Sequence, residues 1–301
     1  MNNTDVFLFS IAVLVYNEEK NIKNLLKKLV FLTKDYRSEI LIIDSGSTDT
    51  TPIIINQLKI PHLRYVRIKK SAFNHGNTRN HAVKLAKGKY ICFVSGDSIP
   101  TNRETFGRIL QDFNYSDRVV CVFGKQIPRP HHSIFTQAEL ICRFNHLDQY
   151  INKNRISVQR KESRKKYKDN QFLLYFLSDV FSCYKRRFLV THPFKKVKTS
   201  EDLLIGKEII ENGYIKIYDS RISVIHSHDD NLIHYFRKQR QEFHIKYNFL
   251  SPNIHSHFAD KIKYLFSLKK SPLMKAYHLI IFIIYYIAKL LAYVSIRGSV
   301  R

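Results

Sequence analysis

The chain is poor in the residues that staple a fold from outside. Its four cysteines, Cys92, Cys121, Cys142 and Cys183, stand far apart with no C-x-x-C pair. That pattern excludes a zinc knuckle, argues against a disulfide framework, and leads us to expect reduced thiols. No internal repeat and no low-complexity segment is present, so a solenoid is excluded. Acids are scarce: 25 Asp and Glu face 50 Lys and Arg, a formal net charge of +25. Such a surface attracts nucleic acid, anionic lipid and phosphorylated substrates alike. No helix-turn-helix, zinc-finger or RNP pattern accompanies the charge, so no nucleic-acid partner is expected and a basic nucleic-acid-binding protein remains only an alternative. Met1 to Asp5 lack the basic n-region of a secretory leader, and the apolar run that follows serves better as a strand, so a cytoplasmic location is expected.

What is present is a rhythm of buried strands ending in polar turns. With 301 residues, 44% of them apolar, the chain has enough material for one α/β domain with elaborations. Phe9 to Tyr16 reads as a strand entering Asn17-Glu18-Glu19, after which Ile22, Leu25, Leu26 and Leu29 recur at helical spacing. Ile40 to Ile43 is a continuous apolar run delivering Asp44-Ser-Gly-Ser-Thr-Asp49. Lys89 to Val94 is a third, delivering Ser95-Gly96-Asp97. Strands that end in carboxylates and amides, with helices between them, make a nucleotide-binding α/β edge. A glycine-rich phosphate loop after the first strand is missing; Tyr16-Asn-Glu-Glu-Lys20 stands there, which weighs against the alternative of a nucleotidyltransferase.

At these residues the chain resembles family 2 glycosyltransferases of the GT-A fold. The motifs, in the family's order, are Val15-Tyr-Asn-Glu18, Ile43 to Asp49, Phe73-Asn-His-Gly-Asn-Thr-Arg-Asn80, Ser95-Gly-Asp97, Glu201-Asp202-Leu203 and Val224-Ile-His-Ser-His228. The Phe73 to Asn80 phrase and the His-Ser-His turn are most similar to bacterial rhamnosyltransferase-like members. The resemblance implies an α/β fold with a mixed sheet flanked by helices and a C-terminal hydrophobic helical tail. It implies inverting transfer of a sugar from a nucleotide-diphosphate donor, dTDP-rhamnose or a UDP-sugar, to a glycan acceptor, expected to be lipid-linked, in cell-surface polysaccharide synthesis.

The resemblance also implies roles. Asp44 accepts the N–H of the base, flanked by Tyr16 and Asn17, with Glu18 at the ribose or in the first helical turn. Arg79 meets the diphosphate, and Asn74 and His75 the donor sugar or phosphates. Mg²⁺ or Mn²⁺ neutralises the leaving diphosphate. Of the family's Asp-x-Asp only Asp97 remains in Ser95-Gly96-Asp97, so a histidine of the His226-Ser-His228 turn is expected to complete the shell, with His228 favoured. Asp202 is the general base and Glu201 holds acceptor or backbone.

The nucleotide half is expected over residues 1–125 and the acceptor half over 126–250. The run between Asn152 and Lys168, with seven lysines and arginines, reads as a solvated loop or helix face. Ile215 to Tyr218 and Ile222 to Ile225 read as two short strands. In 251–301, Ala276 to Val294 is about long enough to cross a bilayer core but carries His278 and Lys289. With basic flanks Lys269, Lys270, Lys275 and Arg297, it predicts contact with an anionic membrane surface at the cytoplasmic face, either spanning or lying in the interface.

Overall fold

The computed structural model describes residues 7–167, 171–249 and 258–297. The first half alternates as the sequence predicts: β1 (Phe9–Val15), α1 (Ile22–Thr33), β2 (Ser38–Asp44), α2 (Thr51–Gln57), β3 (Leu63–Arg67), α3 (His75–Leu85) and β4 (Tyr90–Ser95). A two-residue strand β5 (Ile99–Pro100), α4 (Thr105–Phe113) and β6 (Val119–Ile127) follow. After α5 (Ile134–Asp148) come β7 (Ile156–Gln159), α6 (Gln171–Tyr175), β8 (Phe181–Lys185), α7 (Arg186–Thr191), α8 (Glu201–Glu211) and β9 (Ile215–Ile225). The chain closes with α9 (Leu232–Phe249), α10 (Phe258–Ser267) and α11 (Pro272–Arg297).

The strands form one mixed sheet in the order β3-β2-β1-β4-β8-β6-β9-β5, with β7 also on β9. β1 to β4 pair in parallel wherever they touch, whereas β8 is antiparallel to both β4 and β6. The parallel strands are buried on both faces, which is why they read as unbroken apolar runs. Burial of Ile22, Leu25, Leu26, Leu29 and Leu32 on α1 fixes that helix to the sheet. Residues 215–225 form one strand, not two: β9 continues through Asp219 and Ser220, whose polar side chains are buried and tied to Arg221 and Arg155. The basic run after Asn152 contains strand β7, held on β9 from Ile156 to Gln159.

Cys92 and Cys183 correct the expectation of four reduced thiols. They lie directly opposite each other where β4 and β8 pair, and they form a disulfide. A separation of 91 residues hides that pairing from any spacing rule, since strand register creates it. Cys121 and Cys142 are free and buried.

Residue contacts divide the chain into two compact units, one of residues 1–125 and 150–226, the other of 126–149 and 227–301. Each unit is thus built from two stretches of sequence, and residue 250 lies outside the described residues. The first unit holds the main core beneath the sheet. In the second, Phe135, Ala138, Tyr235, Leu265, Phe282 and Ala288 join α5, α9, α10 and α11 in a separate helical core.

Candidate functional site

Two turns at the carboxyl ends of β1 and β2 are laced together. Asn17 adopts a left-handed φ of 55°, donates its N–H to Ser47 Oγ at 2.9 Å and accepts from Thr48 N–H through Oδ1 at 2.8 Å. Gly46, at φ +87°, permits the turn that brings Ser47 back. Asp44 is fully buried. Its Oδ1 accepts from Ser47 N and Oγ at 2.8 and 2.7 Å, and its Oδ2 accepts from the Tyr65 hydroxyl. The nearby carboxylate and burial push the Tyr65 phenol up, burial being the larger cause. Asp44 therefore organises the turn on which the nucleotide is expected. Tyr16 is exposed beside it, with Lys70 Nζ 2.6 Å from its hydroxyl and over its ring.

The Phe73 to Asn80 phrase has a mechanical meaning. Asn74 caps α3 by accepting from Asn77 N–H, and its amide donates to Val197 O at 2.7 Å. Asn80 exchanges two hydrogen bonds with the Phe194 backbone, each 2.9 Å. A Cβ on Gly76 would sit 2.2 Å from Lys195 O, so only glycine lets the 194–197 backbone lie against α3. The phrase clamps the segment that leads into Ser200, Glu201 and Asp202. Ser200 makes no side-chain cap and instead adopts φ 63°, a left-handed conformation of the kind that strained functional turns retain.

The clamp delivers Glu201 onto Arg79. Arg79 is 8% exposed; its Nη1 donates to Glu201 Oε1, and its Nε lies 3.0 Å from Asp179 Oδ2, in ion-pair range but outside hydrogen-bond alignment. Phe93 and Phe194 flank the guanidinium. Asp179 Oδ1 also accepts from Ser182 Oγ and Tyr184 OH. One guanidinium thus faces three carboxyls, because Asp202 adjoins Glu201 in the same cluster. Burial, then the charges of Glu201 and Asp179, push the Asp202 carboxyl well above the ordinary carboxylate range. Asp202 Oδ1 accepts from Leu203 N–H at 2.8 Å. His75 Nδ1 lies 3.9 Å from Glu201 Oε1, with the imidazole about half exposed; partial desolvation lowers its proton affinity against the pull of that carboxylate.

At the end of β4, Gly96 N–H donates to Leu14 O, which fixes the turn carrying Asp97. Asp97 is buried, and its Oδ1 lies 3.4 Å from His226 Nε2 at the end of β9. His228 follows two residues on, in the second unit, where its carbonyl accepts from Thr136 Oγ1 at 3.4 Å. Asp97 and His226 set a carboxylate beside an imidazole within the first unit. One carboxylate with imidazole nitrogens fits a divalent transition ion such as Mn²⁺ better than Mg²⁺, which prefers an all-oxygen shell.

The structure thus gathers Asp44, Tyr16, Asn17 and Glu18 at one turn pair, and Arg79, His75, Glu201 and Asp202 around another. Arg79, expected at the diphosphate, is turned into the buried carboxyls, and the amide of Asn74, expected at the donor, is engaged by Val197 O. The reading missed Tyr65, Ser47 and Lys70, whose positions follow from β3 register and turn closure. Asp179 stood at the end of an apolar run, the same signal that marked Asp44, Asp97 and their turns.

The family model of glycosyl transferase family 2 matches residues 10–189. The chain is 31% identical over 195 residues to the O-antigen chain rhamnosyltransferase WbaN of Salmonella anatum, covering 64% of this chain and 57% of that protein. It is 27% identical over 199 residues to the O-antigen chain rhamnosyltransferase RfbN of Salmonella typhimurium, covering 64% and 58%. The chain thus spans a little over half the length of these curated relatives. Among solved structures, a mannosyltransferase of Pyrobaculum calidifontis in complex with GDP-Man and Mn²⁺ aligns with a TM-score of 0.57 at 16% identity, over 98% of this chain and 74% of that one. Staphylococcus aureus TarS in complex with UDP-GlcNAc aligns with a TM-score of 0.56 at 18% identity, over 89% and 69%. These likenesses establish the fold, which is GT-A.

Proposed function

The chain belongs to glycosyl transferase family 2, and from that premise we propose that it transfers a sugar, with inversion, from a nucleoside diphosphate to a glycan hydroxyl in cell-surface polysaccharide synthesis. The observation that carries the reading is the division of labour between adjacent acids. Glu201 is locked on Arg79, whereas Asp202 holds its proton tightly at the head of α8. A base works best when its pKa approaches the operating pH, and this environment moves an aspartate in that direction. The acceptor oxygen attacks the sugar's anomeric carbon, the bond to the diphosphate breaks, and the acceptor proton passes to Asp202. A divalent cation, when bound by Asp97 and a histidine of the 226–228 turn, would supply charge for the departing diphosphate. The Asp44 turn with Tyr16, Asn17 and Glu18 receives the nucleotide, and Lys70 lends a cation beside it. The named relatives favour dTDP-rhamnose, with UDP-sugars as the second choice.

The second unit supports a membrane-bound acceptor. Helix Pro272–Ile296 is long and apolar enough to cross a bilayer, with 28% of its most apolar stretch buried. One side of it is packed in the helical core through Phe282, Ala288 and, beside Phe243, Ala292. Leu273, Tyr277, Ile280, Ile284, Ile287, Leu291 and Val294 are exposed at steps of three or four residues, which is one continuous stripe. A helix packed on one side and apolar on the other offers that stripe to a bilayer, spanning it or lying in its interface, and Lys269, Lys270 and Lys275 bring it to anionic headgroups. The test is release of nucleoside diphosphate from a panel of nucleotide sugars with Mn²⁺, repeated after chelation and with Asp97→Ala. Release that needs the metal and fails in the variant is expected; no release from any donor overturns the reading.

A further inference from the structure

The opposite end of the sheet carries a second site. β4 runs six residues from Tyr90 to Ser95, so its amino end lies about 17 Å from the Asp97 turn. There a cleft of about 610 Å³, within the size range of ligand pockets, is lined by Lys87, Lys89, Lys185, Arg186 and Arg187, with Asp117 the single carboxylate. Lys185 is the informative member. It is 7% exposed, opposite Tyr90 in the β4–β8 ladder, and its Nζ donates to Asp117 O at 2.9 Å. The Phe113 ring, stacked on Tyr90, lies 6.0 Å from that ammonium. An ammonium this buried normally has an anion beside it. Here the Asp117 carboxylate is outweighed: burial, then Arg187 and Lys89, lower the proton affinity of Lys185 despite that anion. Folding places five cations around one concavity at a cost that a bound anion would offset.

We propose that this cleft binds a phosphate group, as a phosphomonoester or diphosphate, borne by a lipid headgroup or by a soluble phosphate ester. Arginine forks and lysine points suit tetrahedral oxyanions, and Arg186 is already oriented by its Nε bond to Gly88 O at 3.0 Å. The site is distinct from the donor edge, because its residues come from the amino end of β4 and the carboxyl end of β8, and it does not depend on the proposed transfer reaction.

Titration of the full chain with inorganic pyrophosphate, in chelator so that metal-dependent binding at Asp97 is silent, reads the site directly. Wild type should bind one equivalent, and reversal of two of the exposed charges, Lys89→Glu with Arg187→Glu, should weaken binding at least ~10-fold. Asp97→Ala should leave it unchanged. Lys185→Met, which removes the buried amine, should abolish the rise in unfolding temperature that pyrophosphate gives wild type. Flotation with phosphatidylcholine vesicles containing phosphatidic acid separates the sources. Loss in the double variant of the flotation that phosphatidic acid adds over phosphatidylcholine alone assigns a lipid phosphate, and an unchanged increment with lost pyrophosphate binding assigns a soluble one. Absence of binding in wild type, or equal affinity in the double variant, overturns the proposal.

Discussion

The two units solve opposite problems with their side chains. The first buries polar groups and pairs most of them: Asp44, Asp179, Arg79 and Glu201 are almost inaccessible, and each has at least one named partner, though Arg79 Nε and Asp179 Oδ2 make no hydrogen bond. The second leaves apolar groups uncovered along α11 while burying only one side of that helix. Buried polar networks fix geometry because any displacement leaves a group unpaired; an apolar stripe fixes only a preference for a non-aqueous neighbour. The proposed reading assigns acceptor deprotonation to the first unit and membrane contact to the second, a division that mutation can test.

The comparison breaks most sharply at Arg79. Arg79→Met leaves Glu201, Asp179 and Asp202 without a cation, and breaking a buried ion pair typically costs ~3–5 kcal/mol. Denaturant unfolding should register a loss of that order, with no comparable loss for any exposed residue of α11. Gly76→Ala comes next: its Cβ would meet Lys195 O at 2.2 Å, so the clamp must open and Asp202 shift. Turnover should fall about 10-fold or more while donor affinity changes little, as steady-state kinetics with separate donor titration will measure. The smallest effect on catalysis is expected in the second unit. Ile284→Asp with Leu291→Asp should move the protein from the membrane pellet to the supernatant, leaving donor hydrolysis within about twofold; equal loss of hydrolysis would unite what the comparison separates.

Much of the first unit was legible because its signals are local. Strands β1, β2 and β4 announce themselves as apolar runs, and their polar ends follow from the parallel sheet they enter. Glu201-Asp202-Leu203, a motif in the sequence, opens α8. What escaped depends on partners far away in sequence. Asn80 and Phe194 are 114 positions apart, Arg79 and Glu201 are 122 apart, and the Cys92–Cys183 link arises from register. Composition marks these residues as polar or small, but only the fold says what they touch. The helical tail was readable as apolar, whereas its division into a packed and an exposed side required α9 and α10 to be in place.

The account rests on Asp202 as the group that receives the acceptor proton. Its raised pKa keeps it neutral at low pH, where it adds to stability without accepting a proton. As pH rises through its folded pKa that stability is lost and the base is gained. The decisive measurement is kcat/KM against pH for wild type and Asp202→Asn, with donor affinity titrated in parallel. The account predicts a wild-type rate that rises with pH along a limb above the ordinary carboxylate range. It predicts that Asp202→Asn loses that limb and ~10²-fold or more of turnover while binding donor as before. Near-normal turnover in Asp202→Asn, or the same rising limb, would contradict it.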